Sequence, residues 1–111
     1  MAIPHIQSAQ AVDVTPFGSR LPAEKTVALF KSEELEVIRL VLPAGKAFPA
    51  HSVAGEITIQ CIEGRLDVTV DGESHLLAAG QLLFLSAKLP HSVVALEDAS
   101  ALVTIVLHKQ G

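Results

Sequence analysis

Residues 56–72 read EITIQCIEGRLDVTVDG, two short apolar runs that are joined by one glycine turn and closed by another. In the second run, residues 66–70 (LDVTV), apolar and polar side chains alternate with the two-residue period of a half-buried strand. The Asp71-Gly72 pair that follows favours a tight hairpin, because both central residues of such a turn need positive φ. This stretch therefore predicts antiparallel β structure.

Similar runs continue on both sides of that hairpin, and no segment has a 3.6-residue period of helical length. Their number, about eight or nine strands with turns every 8–12 residues, is typical of a sandwich or barrel. Residues 101–107 are apolar on both faces, which predicts a central, fully covered strand. We therefore predict an all-β jelly roll. The predicted strands are residues 25–30, 35–42, 56–62, 66–70, 75–77, 82–85, 91–96 and 101–107.

Size and composition predict one domain with a core of its own. The chain has 111 residues, of which 50% are hydrophobic and 18% charged. We predict an N-terminal arm over residues 1–20, with room for one short strand, and a barrel domain over residues 21–111. The formal net charge is −4 without a run of Lys or Arg, which excludes nucleic acid and anionic membranes as expected partners. The chain has no Trp or Tyr, which weighs against a surface for stacking sugars or bases.

Location is predicted from what the sequence lacks. The first 14 residues carry no basic segment followed by an apolar run, so they do not read as a signal peptide. No apolar stretch approaches the roughly 20 residues of a membrane-spanning helix. Cys61 is the single cysteine, so no disulfide forms within the chain, and we expect a small buried side chain there. We predict a cytoplasmic protein.

Residues 45–95 resemble the two signature motifs of the cupin superfamily, in their small, RmlC-like, single-domain form. The matching residues are Gly45, His51, Gly64, Gly80 and His91. This resemblance implies a cupin double-stranded β-helix, a jelly-roll barrel, in agreement with the strand pattern.

The resemblance also implies a place for a metal. Cupins that bind a divalent ion take two histidines and a glutamate from the first motif and one histidine from the second. His51 and His91 stand at two of these positions, whereas Val53 and Ile57 occupy the others and offer no lone pair. Open catalytic sites use about three protein ligands. Zn, Ni, Fe or Mn is therefore a candidate cofactor with an incomplete ligand set.

We predict a pocket in which both imidazoles point inward at the same end, from strands that face each other. Gln60 has the opposite parity to Ile57, so it reaches the interior only if a bulge intervenes. Cys61 has the same parity as Ile57 and is expected to face the interior. The predicted pocket residues are His51, Val53, Ile57, Gln60, Cys61 and His91.

Three functions stay open at this point, and fold alone does not choose among them. The first is a protein that binds a small, largely apolar ligand in this pocket. The second is a metal-dependent enzyme of dioxygenase or isomerase type with a reduced ligand set. The third is a structural or interaction protein with a packed barrel. Residues 35–42 and 101–107 are apolar on both faces, which predicts a symmetric homodimer in which a second subunit covers part of them. The N-terminal arm is predicted to help cover the partner.

Overall fold

A computed structural model describes residues 5–51 and 53–107, with the side chains of residues 49–51 outside the description. The fold consists of two antiparallel sheets and one short 3₁₀ helix, Gly18–Ala23. The all-β jelly-roll prediction is confirmed. The strands are β1 (Val27–Lys31), β2 (Leu35–Leu42), β3 (Ala47–His51), β4 (Ile57–Glu63), β5 (Arg65–Val70), β6 (Glu73–Ala78), β7 (Leu82–Leu85), β8 (His91–Ala95) and β9 (Ala99–Val106).

The two sheets pack face to face around the core. One has the strand order β1-β2-β9-β4-β7, and the other has the order β3-β8-β5-β6. Alternate residues of each strand face the partner sheet, which follows from the two-residue period of β structure. The buried residues of the core include Leu40, Ile57, Ile59 and Ala101 from the first sheet and Leu66, Val68, Leu77 and Val93 from the second.

The Asp71-Gly72 turn has the backbone that the sequence predicts. Asp71 has φ 52° and Gly72 has φ 78°, and the flanking residues Val70 and Glu73 are paired across the two-residue loop. Positive φ at both positions matches the right-handed twist of the strands that the turn joins. The turn fixes the β5–β6 register and thereby places Leu66 and Val68 in the core.

Three features differ from the sequence-based expectation. The strand β3 was not among the predicted strands, because Pro49 interrupts its sequence. The described part of the arm, residues 5–20, contains no strand, and the 3₁₀ helix crosses the predicted boundary between residues 20 and 21. The strand β9 is central, as predicted, but it is only half-buried from Leu102 to Val106. The division into arm and barrel stays a prediction.

The arm is held on the outer face of the five-stranded sheet by a small polar cluster. Glu63 accepts hydrogen bonds from the backbone nitrogens of Phe17 at 2.9 Å and Gly18 at 3.0 Å. One guanidinium nitrogen of Arg39 donates to the carbonyl of Thr15 at 2.9 Å and to the hydroxyl of Ser100 at 3.0 Å. Residues on β2, β4 and β9 therefore clamp a segment that precedes the first strand.

Within the described ranges, the protein has no helix that is long and apolar enough to cross a membrane.

Candidate functional site

A cavity of about 170 Å³ lies between the two sheets. Three strands of the five-stranded sheet contribute pairs of residues two apart, so each pair shares the inner face of its strand. Thr26 and His91 are the polar members of the lining. The lining residues are Thr26, Ile38, Leu40, Phe48, Ile57, Ile59, His91, Val93, Val103 and Ile105.

The cavity has an exposed rim and a buried interior. Thr26 and Phe48 are exposed, whereas His91 is only 4% exposed. The Thr26 hydroxyl donates to the carbonyl of Val41 at 3.2 Å and accepts from the nitrogen of Val41 at 2.8 Å. These bonds hold the rim against β2. Because they use the hydroxyl of Thr26 as both donor and acceptor, the imidazole of His91 is the polar group of the lining on which a binding argument rests.

His91 is the first residue of β8 and follows Leu89 and Pro90. Its Nδ1 lies 3.2 Å from the carbonyl oxygen of Leu89. A carbonyl oxygen only accepts, so Nδ1 donates this hydrogen bond, and in the neutral ring the lone pair then belongs to Nε2. The bond fixes both the tautomer and the orientation of the ring, which is what a binding or metal-ligating histidine requires.

The backbone places His51 directly opposite His91. Strands β3 and β8 are antiparallel neighbours, with Phe48 paired to Val93 and His51 paired to His91. Two residues of β3 and only one of β8 lie between these pairs, which is a β-bulge. The prediction that the two strands face each other is wrong, because they are neighbours in one sheet. The side chain of His51 lies outside the described residues.

Pro49 explains why the bulge forms there. Proline has no N–H to donate to a ladder, so it occurs at sheet edges and at bulges. Here β3 is both the edge strand of its sheet and the bulged one. Without a bulge, position 50 would lie opposite His91. The bulge adds one residue to β3, so Phe48 lies opposite Val93 and His51 lies opposite His91, and both partners on β8 line the cavity.

A family model described as a cupin domain matches residues 38–108, well over half of the chain. This protein belongs to the cupin family. The match spans β2 to β9 and thus both sheets around the cavity. No curated protein matches this cupin.

Solved structures agree with the family. A conserved protein of unknown function from Streptococcus pyogenes superposes with a TM-score of 0.76 at 23% identity, covering 98% of this chain and 96% of that one. A cupin superfamily protein from Desulfitobacterium hafniense superposes with a TM-score of 0.77 at 14% identity, covering 97% of this chain and 100% of that one. An RmlC-like cupin from Desulfovibrio desulfuricans superposes with a TM-score of 0.68 at 27% identity, covering 92% of this chain and 97% of that one. The first two likenesses establish the fold alone.

The donor set of this cupin does not fit a three-ligand metal site. Val53 is half-buried against the core and Ile57 lines the cavity, so hydrocarbon occupies two of the positions where the family motif has ligands. Glu56, one residue from the motif position of the glutamate, is exposed. Among the residues that the structure describes, no group of three His, Cys, Asp or Glu side chains is arranged to hold a metal ion.

Gln60 and Cys61 lie on opposite faces of β4, and the described lining includes neither of them. Gln60 is exposed. Cys61 is fully buried, and its thiol donates to the carbonyls of Glu63 at 3.5 Å and Gly64 at 3.6 Å. Burial raises the pKa of the Cys61 thiol, which keeps it protonated and unreactive. Ile57 and His91 are the two predicted pocket residues that the cavity brings together.

Sequence reasoning missed the rim and most of the hydrocarbon wall. Strands β2 and β9 are apolar on both faces, so alternation does not reveal which residues face the cavity. Thr26 lies just before β1 and gives no local signal. The missed residues are Thr26, Ile38, Leu40, Phe48, Ile59, Val93, Val103 and Ile105.

Proposed function

We propose that this cupin binds a small, largely apolar molecule in the cavity between its sheets, with His91 as the polar contact. The observation that carries the proposal is the lining, a hydrocarbon wall with one buried imidazole. Binding pockets commonly combine such a wall with a few polar groups that orient the ligand. The volume suits a ligand of benzene-like size, since an engineered apolar cavity of about 150 Å³ binds benzene.

We include His51 in the proposed site. What supports it is the backbone register, which pairs His51 with His91 across the ladder. Opposed positions of an antiparallel ladder belong to the same face of a sheet. The proposed pocket thus holds His51 and His91 together with Ile57 and the other lining residues, and Val53 packs against the same core.

The test compares benzene and phenol, which share one ring and differ by a hydroxyl, by methyl NMR of the Ile, Val and Leu side chains. We expect both to shift the lining methyl groups of Ile59 and Val103, and phenol to bind more tightly because it can form a hydrogen bond with the imidazole. His91→Leu should remove the preference for phenol and leave benzene binding within about twofold. His75→Leu, on β6 outside the lining, is the matched control. Absence of shifts with both probes contradicts the proposal.

A divalent ion bound between the two histidines is the second candidate, and with it an enzyme of dioxygenase or isomerase type. The pairing of His51 with His91 supports it. Two imidazoles alone imply weak affinity, and their protonation expels a metal as pH falls through about 6.5. Metal analysis of protein purified without a histidine tag, before and after His51→Ala and His91→Ala, tests this candidate. Metal that persists in the double variant lies elsewhere.

We also propose a cytoplasmic homodimer. The support for assembly is on β7, where Leu82 is 61% and Phe84 58% exposed. These residues pair with Gln60 and Thr58, so they lie on the outer face of the five-stranded sheet. A second subunit on this face would remove the two side chains from water.

A further inference from the structure

We infer that residues 13–26, here called the strap, control the entry of small molecules into the cavity. One end of the strap is fixed by Glu63 and Arg39 on the outer face of the sheet. The other end is Thr26, which forms the exposed rim of the cavity. The strap thus connects a polar clamp to the cavity mouth, although the two lie on different faces of one sheet.

The clamp binds the strap through a backbone anion site. Phe17 has φ −75° and ψ −25°, and Gly18 has φ 63°. A right-handed residue followed by a left-handed one turns successive N–H groups toward a common point, which suits an anion. The Glu63 carboxylate occupies that point, with one oxygen on each nitrogen at 2.9 and 3.0 Å. A single carboxylate therefore holds two consecutive residues of the strap.

Arg39 supplies the second contact. Its guanidinium carbon lies 4.1 Å from the centre of the Phe17 ring, and it donates to the carbonyl of Thr15. Arg39 is 2% exposed, yet among the described residues its Nε is a buried nitrogen without a hydrogen-bond partner. An unsatisfied buried donor costs free energy. Opening of the clamp would let water reach this nitrogen, which offsets part of the free energy of the contacts that are lost.

The middle of the strap has few contacts with the sheets. Leu21 is the buried residue of the 3₁₀ helix, and its neighbours Arg20 and Pro22 are exposed. Segments with little buried apolar surface open at a lower free energy than the core strands. The strap therefore opens without unfolding of the two sheets when the clamp is weakened.

The far end transmits this opening to the cavity. Thr26 is fixed to Val41 by two hydrogen bonds of its hydroxyl and is the last residue before β1. Displacement of the strap weakens these two hydrogen bonds and moves Thr26 away from Phe48, which lines the same opening of the cavity. A weakened clamp should therefore speed both entry and exit.

The biological role of this gate rests on the proposed ligand binding, but its test needs no ligand. In a Cys61→Ala background, Val103→Cys places a thiol in the cavity wall, and its alkylation by iodoacetamide reports access. Hydrogen exchange of residues 13–26 reports opening of the strap. We expect Glu63→Gln to raise both rates at least fivefold and to leave amide exchange in β9 unchanged. The matched control Glu73→Gln, an exposed carboxylate on the other sheet, should change neither rate.

Each outcome of this experiment decides the proposal. Faster exchange in the strap without faster alkylation overturns the gate, and unchanged exchange overturns the clamp. If Glu63→Gln also speeds exchange in β9, Gly18→Ala replaces it, because this change strains the left-handed residue of the anion site and keeps the charges of Glu63 and Arg39. The same parallel rise in both rates is then expected. Failure of benzene and phenol to bind counts against the proposed function alone.

Discussion

The hydroxyl of Ser100 donates to Oε2 of Glu63 at 2.5 Å, and the two residues lie opposite each other in the β4–β9 ladder. Strict alternation would put Glu63 on the inner face, together with Ile59 and Cys61. Cys61 pairs with Ala101 and Glu63 with Ser100, so Ile62 is the extra residue of a bulge. The bulge turns Glu63 to the outer face, where Arg39 and the strap contact it.

The first prediction concerns pH. Burial alone would raise the pKa of Glu63, but hydrogen bonds from Ser100, Phe17 and Gly18 and the charge of Arg39 outweigh it and lower the pKa below 4.5. When the pKa of a carboxyl is lower in the folded than in the unfolded state, the group stabilises the fold at a pH above its unfolded-state pKa. This stabilisation is lost as the pH falls through the folded-state pKa. The stability difference between wild type and Glu63→Gln should therefore shrink below about pH 4.5.

Urea unfolding at pH 7, 5, 4 and 3 measures this difference. Three other charged groups interact electrostatically with one another or with Arg39 near the clamp, namely Asp13, Arg20 and Glu24. Comparison with Glu73→Gln removes general acid effects from the result. Stability curves of wild type and Glu63→Gln that run parallel over the whole range would falsify the assignment.

A double-mutant cycle tests the ion pair between Arg39 and Glu63. Their side chains are 3% and 15% exposed and 3.5 Å apart. Loss of one partner of a buried pair leaves the other uncompensated, so we expect Arg39→Met to cost about 3 kcal/mol. The double variant Arg39→Met/Glu63→Gln should lose about 1 kcal/mol less stability than the sum of the losses in the two single variants. Additive costs, measured by urea unfolding, would show that the two residues do not interact.

Gly64 and Gly72 form a matched pair for a steric test. Both have positive φ, 77° and 78°, so alanine is strained at either position. A Cβ at Gly64 would also clash with the Asp98 carbonyl oxygen and with Ala99, whereas a Cβ at Gly72 meets open space. We expect Gly72→Ala to cost about 1 kcal/mol and Gly64→Ala about 3 kcal/mol or more. Equal shifts in thermal unfolding would mean that the backbone adapts at Gly64.

The proposed dimer is tested by charges on β7. We expect light scattering to report a dimer at micromolar concentration, and Leu82→Glu/Phe84→Glu to convert it to a monomer, because buried unpaired carboxylates oppose association. Leu76→Glu is the control, since Leu76 is 55% exposed on the other sheet. A monomeric wild type refutes the dimer, and dissociation by Leu76→Glu places the interface elsewhere.

The sequence predicted the fold well because turns and alternation are local signals. The Asp71-Gly72 turn and strands β2 and β7 were predicted with their observed bounds. The strand β3 was missed because its bulge and Pro49 break the alternation on which strand prediction depends. The incomplete burial of β9 was missed as well, since apolar composition does not tell whether a neighbour covers a face.

The candidate site was less predictable, because a cavity is built from residues distant in sequence. His91 and Ile57 were found through the cupin motif, and the wall formed by β2 and β9 was not. Glu63 was not predicted to have a role. Its role depends on the Ile62 bulge and on contacts with an arm more than 40 residues away. Neither leaves a mark in local composition.

The strand order has a consequence for the nascent chain. The strands β2 and β4 are not neighbours, since β9 lies between them and is the last of the nine strands to leave the ribosome. Until residues 99–106 are synthesised, both β2 and β4 expose an unpaired edge that can accept a strand from another chain. Cooperative folding of the five-stranded sheet therefore requires that β9 has been synthesised, and strand exchange between copies is most favoured before that point.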